Sequence, residues 1–128
     1  MARILVVEDE PSVREFIARA LKSAGHEVEA VVDGSDALAA LTRARAKGAP
    51  HELLLTDILM PVMDGISLAL SAARDAPGLP IVLMTGYSDQ RERAYGLETI
   101  IRDILLKPFT LAELLERIDA VLDASPPR

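Results

Sequence analysis

The chain has 128 residues, 50% hydrophobic and 27% charged, with a formal net charge of −6 and no cysteine. That length is one domain, large enough to bury a core without staples, and the composition is that of a globular chain rather than a disordered or fibrous one. Net negative charge and 3% aromatic content argue against non-specific nucleic-acid binding, and the lack of cysteine excludes disulfides, thiolate-held zinc and thiol catalysis.

Ile4-Leu5-Val6-Val7 is a strand-length apolar run that stops at Glu8-Asp9-Glu10 and Pro11. Val13, Phe16, Ile17, Ala20 and Leu21 then recur at helical spacing and predict one buried face, with Pro11 near the helix start and Gly25 past its end. Val28, Ala30 and Val32 alternate with Glu27, Glu29 and Val31, the pattern of a half-buried strand near a sheet edge. Ser35 is the expected N-cap of a helix holding Ala37, Leu38 and Leu41, which Gly48-Ala49-Pro50 ends. Leu53-Leu54-Leu55-Thr56 is the next buried run, stopping at Asp57.

Asp64 is expected to cap a helix with Ile66, Ala69, Leu70 and Ala73 turned inward, closed by Pro77-Gly78. Ile81-Val82-Leu83-Met84 is the fourth strand, Tyr87 to Gly96 a short polar helix, and Ile104-Leu105-Leu106 the fifth strand. Thr110 and Glu113 form a T-x-x-E capping box for a last helix lined by Leu111, Leu114, Leu115, Ile118, Val121 and Leu122. Residues 123–128 are expected to form a flexible tail. Met60, Met63 and Met84 read as packing residues, and His26 and His51, without a partner pattern, as surface or turn histidines.

Five strand–helix pairs in succession predict an α/β doubly wound sandwich around a parallel five-stranded sheet, because right-handed crossovers place helices on both faces. The expected strand order is 2-1-3-4-5, with ligands beyond the carboxyl ends of strands one and three. Polar groups stop four of these strands: Glu8 and Asp9, then Asp57, Thr85 and Lys107. One such ending is ordinary, since Asp and Thr commonly stop strands. Four of them converge on one pocket in that strand order. Three clustered carboxylates repel, so a proton or a cation must neutralise them. Oxygen ligands without His or Cys suit Mg²⁺. Phosphoryl transfer needs mainly positioning and charge neutralisation, with Asp57 the central nucleophile candidate and Thr85 and Lys107 contacting phosphoryl oxygens.

At these residues the chain resembles the response-regulator receiver (CheY-like) family. The matching stretches, in order, are Glu8-Asp9 after Ile4-Leu5-Val6-Val7, Leu54 to Gly65 with Thr56-Asp57 and Met63-Asp64-Gly65, Met84-Thr85-Gly86, and Lys107-Pro108-Phe109. The resemblance implies a flavodoxin-like (βα)5 receiver domain over residues 2–122. It also implies that Asp57 accepts phosphate from a histidine kinase or histidine phosphotransferase, with Mg²⁺ on Glu8 or Asp9, Asp57 and the Leu59 main-chain carbonyl. Thr85 and Lys107 take the family's switch and phosphate-contact roles, and a cis Lys107-Pro108 bond is implied.

Two positions depart from the family pattern. Glu8 stands where the first acidic residue is usually Asp, and Ile104 stands where the family carries a switch aromatic. Ile104 has no ring to swing, so the expected switch surface shifts to Tyr87, Arg91 and Tyr95. The chain stops soon after its fifth predicted helix, which sets the expectation of a stand-alone, non-enzymatic signalling module. Met1 to Leu5, Gly25-His26-Glu27-Val28 and Met84 to Arg93 are most similar to the CpdR type of single-domain receiver. That likeness implies a role in ClpXP-dependent proteolysis in the bacterial cell cycle, with the unphosphorylated form binding the ClpX unfoldase. A cytoplasmic monomer is expected, with neither nucleic acid nor membrane as partner. The alternatives are a phosphorelay intermediate and a Mg²⁺-dependent aspartyl-phosphate hydrolase. Leu59, where such hydrolases carry an acid/base Asp, weighs against the second.

Overall fold

The computed structural model describes residues 2–60, 63–86, 97 and 99–124. Its elements are β1 (Arg3–Val7), α1 (Pro11–Ser23), β2 (Glu27–Val31), α2 (Gly34–Ala46), β3 (Leu53–Asp57), α3 (Gly65–Asp75), β4 (Ile81–Thr85), β5 (Asp103–Leu106) and α4 (Leu111–Ala124). The helix expected from Tyr87 to Gly96 lies outside the described residues. The five strands run parallel in the order β2-β1-β3-β4-β5, as the alternation predicts.

Successive residues of the central strands feed opposite cores, which is why their runs are apolar without a break. Leu5, Leu54, Ile81 and Leu83 pack with Ala37, Leu41, Leu68 and Ala72 of α2 and α3. Ile4, Val6, Leu53, Leu55, Val82 and Met84 pack with Ile17, Leu21, Leu114 and Ile118 of α1 and α4. Both layers are closed, and the carboxyl ends of the strands are left as the polar rim.

Local sequence sets most helix boundaries. Pro11 opens α1, where its missing N–H costs no bond, and the Glu10 side chain accepts from Ser12 N. Gly25 follows the helix at a φ of 94°, a conformation that suits glycine. Asp64 Oδ1 accepts from Ser67 N at 2.8 Å and starts α3 as expected. The Thr110–Glu113 box is formed in both directions, at 3.1 Å each.

Several expectations are corrected. Asp33, not Ser35, caps α2, its Oδ1 accepting from Asp36 N at 2.8 Å. Gly34 becomes the first helical residue because it fits against Met63, whose Sδ would lie 2.9 Å from a Cβ there. The buried stripe of α3 is Gly65, Leu68, Ala69 and Ala72, about one residue round from the expected one, so Leu70 faces solvent. Leu111 precedes the buried turns of α4 and is likewise exposed. Ala30 and, just past the edge strand, Val32 are exposed, while Val28 and Val31 pack on the two cores.

Phe16 sits on the flank of α1, partly exposed, with its ring centroid 6.4 Å from that of Phe109. His51 is buried, and His26 is half-buried with its imidazole largely covered, so neither is superficial. His26 Nδ1 accepts from Ala2 N at 3.1 Å, and His51 Nε2 lies 3.0 Å from Glu29 Oε1. The three methionines pack as expected.

Candidate functional site

The strand ends are tied together by main-chain bonds that extend the sheet into its loops. Glu8 N donates to Val31 O at 3.1 Å, Ile58 N to Met84 O at 3.0 Å, and Lys107 N to Thr85 O at 2.8 Å. These bonds bring residues 8, 57 and 107 to one rim. They line a cleft of about 1050 Å³, with Asp9, Leu59 and Gly86 beside them and Phe16, Pro108 and Phe109 along one wall. Thr85 was expected to converge on the same pocket, but it is fully buried at its strand end and is not among the described residues that line the cleft, whose wall at that strand is Gly86.

Lys107 is the hinge of the electrostatics. Its Nζ donates to Glu8 Oε1 at 2.7 Å and to Asp57 Oδ2 at 2.8 Å. The remaining oxygens are also engaged, Glu8 Oε2 by Glu10 N at 3.1 Å and Asp57 Oδ1 by Leu59 N at 3.2 Å. Burial pushes the Glu8 carboxyl above its ordinary range, and the hydrogen bond from Lys107 opposes this without cancelling it. Burial alone would lower the Lys107 ammonium. Its bonds to Asp57 and Glu8 outweigh that and hold it above its ordinary value. The Lys107-Pro108 peptide is cis, as the resemblance implies.

Asp57 is set by its own strand and by a close approach of α3. Thr56 Oγ1 donates to Asp57 O at 3.0 Å, and a Cβ on Gly65 would lie 2.1 Å from that same oxygen. Only a glycine lets the start of α3 pack so near the nucleophile candidate. Glu8, Asp9 and Asp57 each offer a carboxylate oxygen within 4.8 Å of the others. An all-oxygen, carboxylate-rich donor set beside a single ammonium fits a hard divalent cation such as Mg²⁺.

The structure thus brings Glu8, Asp9, Asp57 and Lys107 into one cluster, with Leu59 contributing main chain at its edge. Ile104 is half-buried against the core beside Ile101, with no ring to present to the cleft. Tyr87, Arg91 and Tyr95 lie outside the described residues. Sequence reasoning did not single out Arg14, whose guanidinium binds the acidic turn, or the Phe16–Phe109 wall. The available signal for Arg14 was an arginine in the first turn of a helix that opens directly after an acidic triplet.

Residues 4–119 match the family described as "Response regulator receiver domain". The chain is 36% identical over 124 residues to the transcriptional regulatory protein TcrA of Mycobacterium tuberculosis, covering 97% of this chain and 47% of that protein. It is 39% identical over 125 residues to the response regulator MprA of Mycobacterium leprae, covering 98% of this chain and 53% of that protein. It superposes on the receiver domain of NtrX from Brucella abortus with a TM-score of 0.83 at 30% identity, over 95% of this chain and 99% of that one. The chain therefore spans about half the length of the curated relatives it matches. Among the described residues, no helix is long and apolar enough to cross a membrane.

Proposed function

We propose, for a chain that belongs to the response-regulator receiver family, that Asp57 accepts a phosphoryl group in a Mg²⁺-dependent step and that the added charge switches protein binding. Receiver domains are signalling modules served by histidine kinases or phosphotransferases, not conventional enzymes. The observation that carries the reading is one ammonium, Lys107, bonded to both Glu8 and Asp57 beside the third carboxylate of Asp9.

In the proposed step an Asp57 carboxylate oxygen forms the new P–O bond while the P–N bond of a donor phosphohistidine breaks. Lys107 is placed to exchange its bond to Asp57 for one to a phosphoryl oxygen. The Thr85 hydroxyl, buried at the adjacent strand end, would turn about its χ1 to give a further hydrogen bond. Glu8, Asp9, Asp57 and the Leu59 carbonyl would hold Mg²⁺, which supplies the positive charge that phosphoryl transfer needs. The test is intact-mass detection of a phosphoryl adduct after incubation with acetyl phosphate. The adduct should require Mg²⁺ and vanish in Asp57→Asn. Incorporation that survives excess chelator, or that persists in Asp57→Asn, overturns the reading.

The proposed receiver unit, acting as a cytoplasmic monomer, is residues 2–122, except that its last helix runs on to Ala124 where a tail was expected from residue 123. With Ile104 at the fifth strand, the proposed output surface is Tyr87, Arg91 and Tyr95, reached from Thr85 through Gly86. Amide exchange confined to residues 86–96 on phosphorylation supports that route, whereas changes along 104–109 reject it. The likeness to the CpdR type supports a finer proposal, that the unphosphorylated form binds the ClpX unfoldase and regulates cell-cycle proteolysis. A pull-down with native protein, Asp57→Ala and protein treated with a phosphoryl mimic reads both the partner and the sign of the switch. A stable, phosphorylation-sensitive complex with a non-kinase protein argues against a mere relay intermediate.

A further inference from the structure

Glu8 and Asp9 share a turn but are held very differently. Glu8 is buried and engaged four times: by Lys107 and Glu10 N at its carboxylate, by Val31 at its N–H, and by Arg14 at its carbonyl. Asp9 is exposed, and among the described residues no hydrogen bond or ion pair restrains its carboxylate. Asp9 is held only at its main chain among the described residues. Arg14 Nη1 donates to Glu8 O at 2.8 Å and reaches Asp9 O at 3.5 Å. The arginine is itself anchored, since it lies in the first turn of α1 and its N–H bonds to Glu10 O at 2.9 Å. One guanidinium nitrogen, Nη1, therefore faces both peptide carbonyls of the acidic pair, closely at Glu8 and more distantly at Asp9.

We infer that Arg14 is a positioning residue for the acidic cluster, orienting the Asp9 carboxylate toward a divalent cation by fixing the peptide planes of residues 8 and 9. The inference rests on the Mg²⁺ reading given above. The two N–H groups of Nη1 are held in the guanidinium plane and can address two carbonyls at fixed angles, whereas lysine offers a mobile point charge, so the two should not be equivalent here. Groups that orient metal ligands from behind commonly change metal affinity by about tenfold or more when removed.

The test is a calorimetric titration with Mg²⁺ alone on the native protein, Arg14→Lys, Arg14→Met and Asp9→Asn, alongside phosphorylation by acetyl phosphate. Arg14→Met should bind Mg²⁺ about tenfold more weakly than native, with Arg14→Lys between the two. The Mg²⁺ concentration for half-maximal phosphorylation should rise in step, while the rate at saturating Mg²⁺ stays within about twofold. A purely structural role would lower the melting temperature and leave the Mg²⁺ affinity unchanged. Native-like affinity in a folded Arg14→Met overturns the inference. If that variant fails to fold, Arg14→Gln takes its place, and native-like affinity there is equally decisive. A native protein that binds no Mg²⁺ overturns the metal reading itself, and the role of Arg14 with it. Native binding that Asp9→Asn weakens and Arg14→Met does not rejects Arg14 alone.

Discussion

Replacing Lys107 with methionine removes the one ammonium that two buried carboxylates share. Glu8 and Asp57 have side chains only 1% and 9% exposed, and Lys107 is 24% exposed. Breaking a buried pair from one side costs about 3–5 kcal/mol, because the partner charge stays behind uncompensated. Lys107 keeps 24% of its side chain exposed, so solvent screening discounts this to about 2–3 kcal/mol without metal. For a chain of this size that is a fall of about 6–10 °C in Tm.

The loss should depend on pH with a definite sign. Burial already raises the Glu8 carboxyl above its ordinary 4.5, and Lys107 is one of the influences lowering it. In Lys107→Met that influence is gone and the folded-state value rises further. The folded variant then holds a proton where the unfolded chain has released it. Its stability is preserved below about pH 4.5 and falls as the pH climbs through the raised value. Lys107 itself, raised in the native protein above 10.5, gives up its contribution only at still higher pH. Thermal melts of native and Lys107→Met in chelator, followed by circular dichroism, should show a gap that is narrow near pH 4.5 and wide near about pH 8. Added Mg²⁺ should stabilise the variant as a bound cation, and narrow the gap. A pH-independent gap, or none, would refute the assignment of Lys107 as the shared counter-charge.

Asp57→Asn removes one carboxylate and leaves the Lys107–Glu8 pair in place, so its melting without metal should stay within about 1 kcal/mol of native; a larger loss in chelator would mean the Asp57–Lys107 bond dominates. Gly65→Ala puts a Cβ 2.1 Å from Asp57 O and 2.8 Å from Ile58 Cα. Backbone must shift to admit it, costing about 2–3 kcal/mol, and acetyl phosphate should modify Asp57 more slowly, as read by intact mass over time. Thr110→Ala loses the side-chain half of the α4 capping box, a hydroxyl that accepts from Glu113 N and lines no part of the cleft among the described residues. It should lower stability by about 1 kcal/mol and leave the phosphorylation rate at the native value.

The strands and their order were legible because the information is local. Ile4 to Val7, Leu53 to Leu55 and Ile81 to Met84 are apolar at every position because both faces of each strand are covered. The right-handed crossover rule then leaves few orders open. The polar stops at Glu8, Asp57, Thr85 and Lys107 were visible for the same reason, each ending its own run. What the pattern could not supply was how those groups meet. Lys107 bridges partners 99 and 50 residues away, and a bond over that separation exists only once five strands lie in register.

Helix details failed where two readings were locally equivalent. Asp33 and Ser35 are both competent caps, and the choice follows from Gly34 fitting beneath Met63, a residue in a different loop. The buried stripe of α3 turned by about one residue because Gly65 must pass close to the Asp57 carbonyl, which sets the helix's rotation from outside the helix. The histidines looked superficial because nothing near them in sequence partners them; Glu29 and Ala2 do so across the sheet edge. Periodicity reports which residues seek burial, but the partner of a charge and the rotation of a helix are set by the surfaces it packs against, and those come together only in the folded chain.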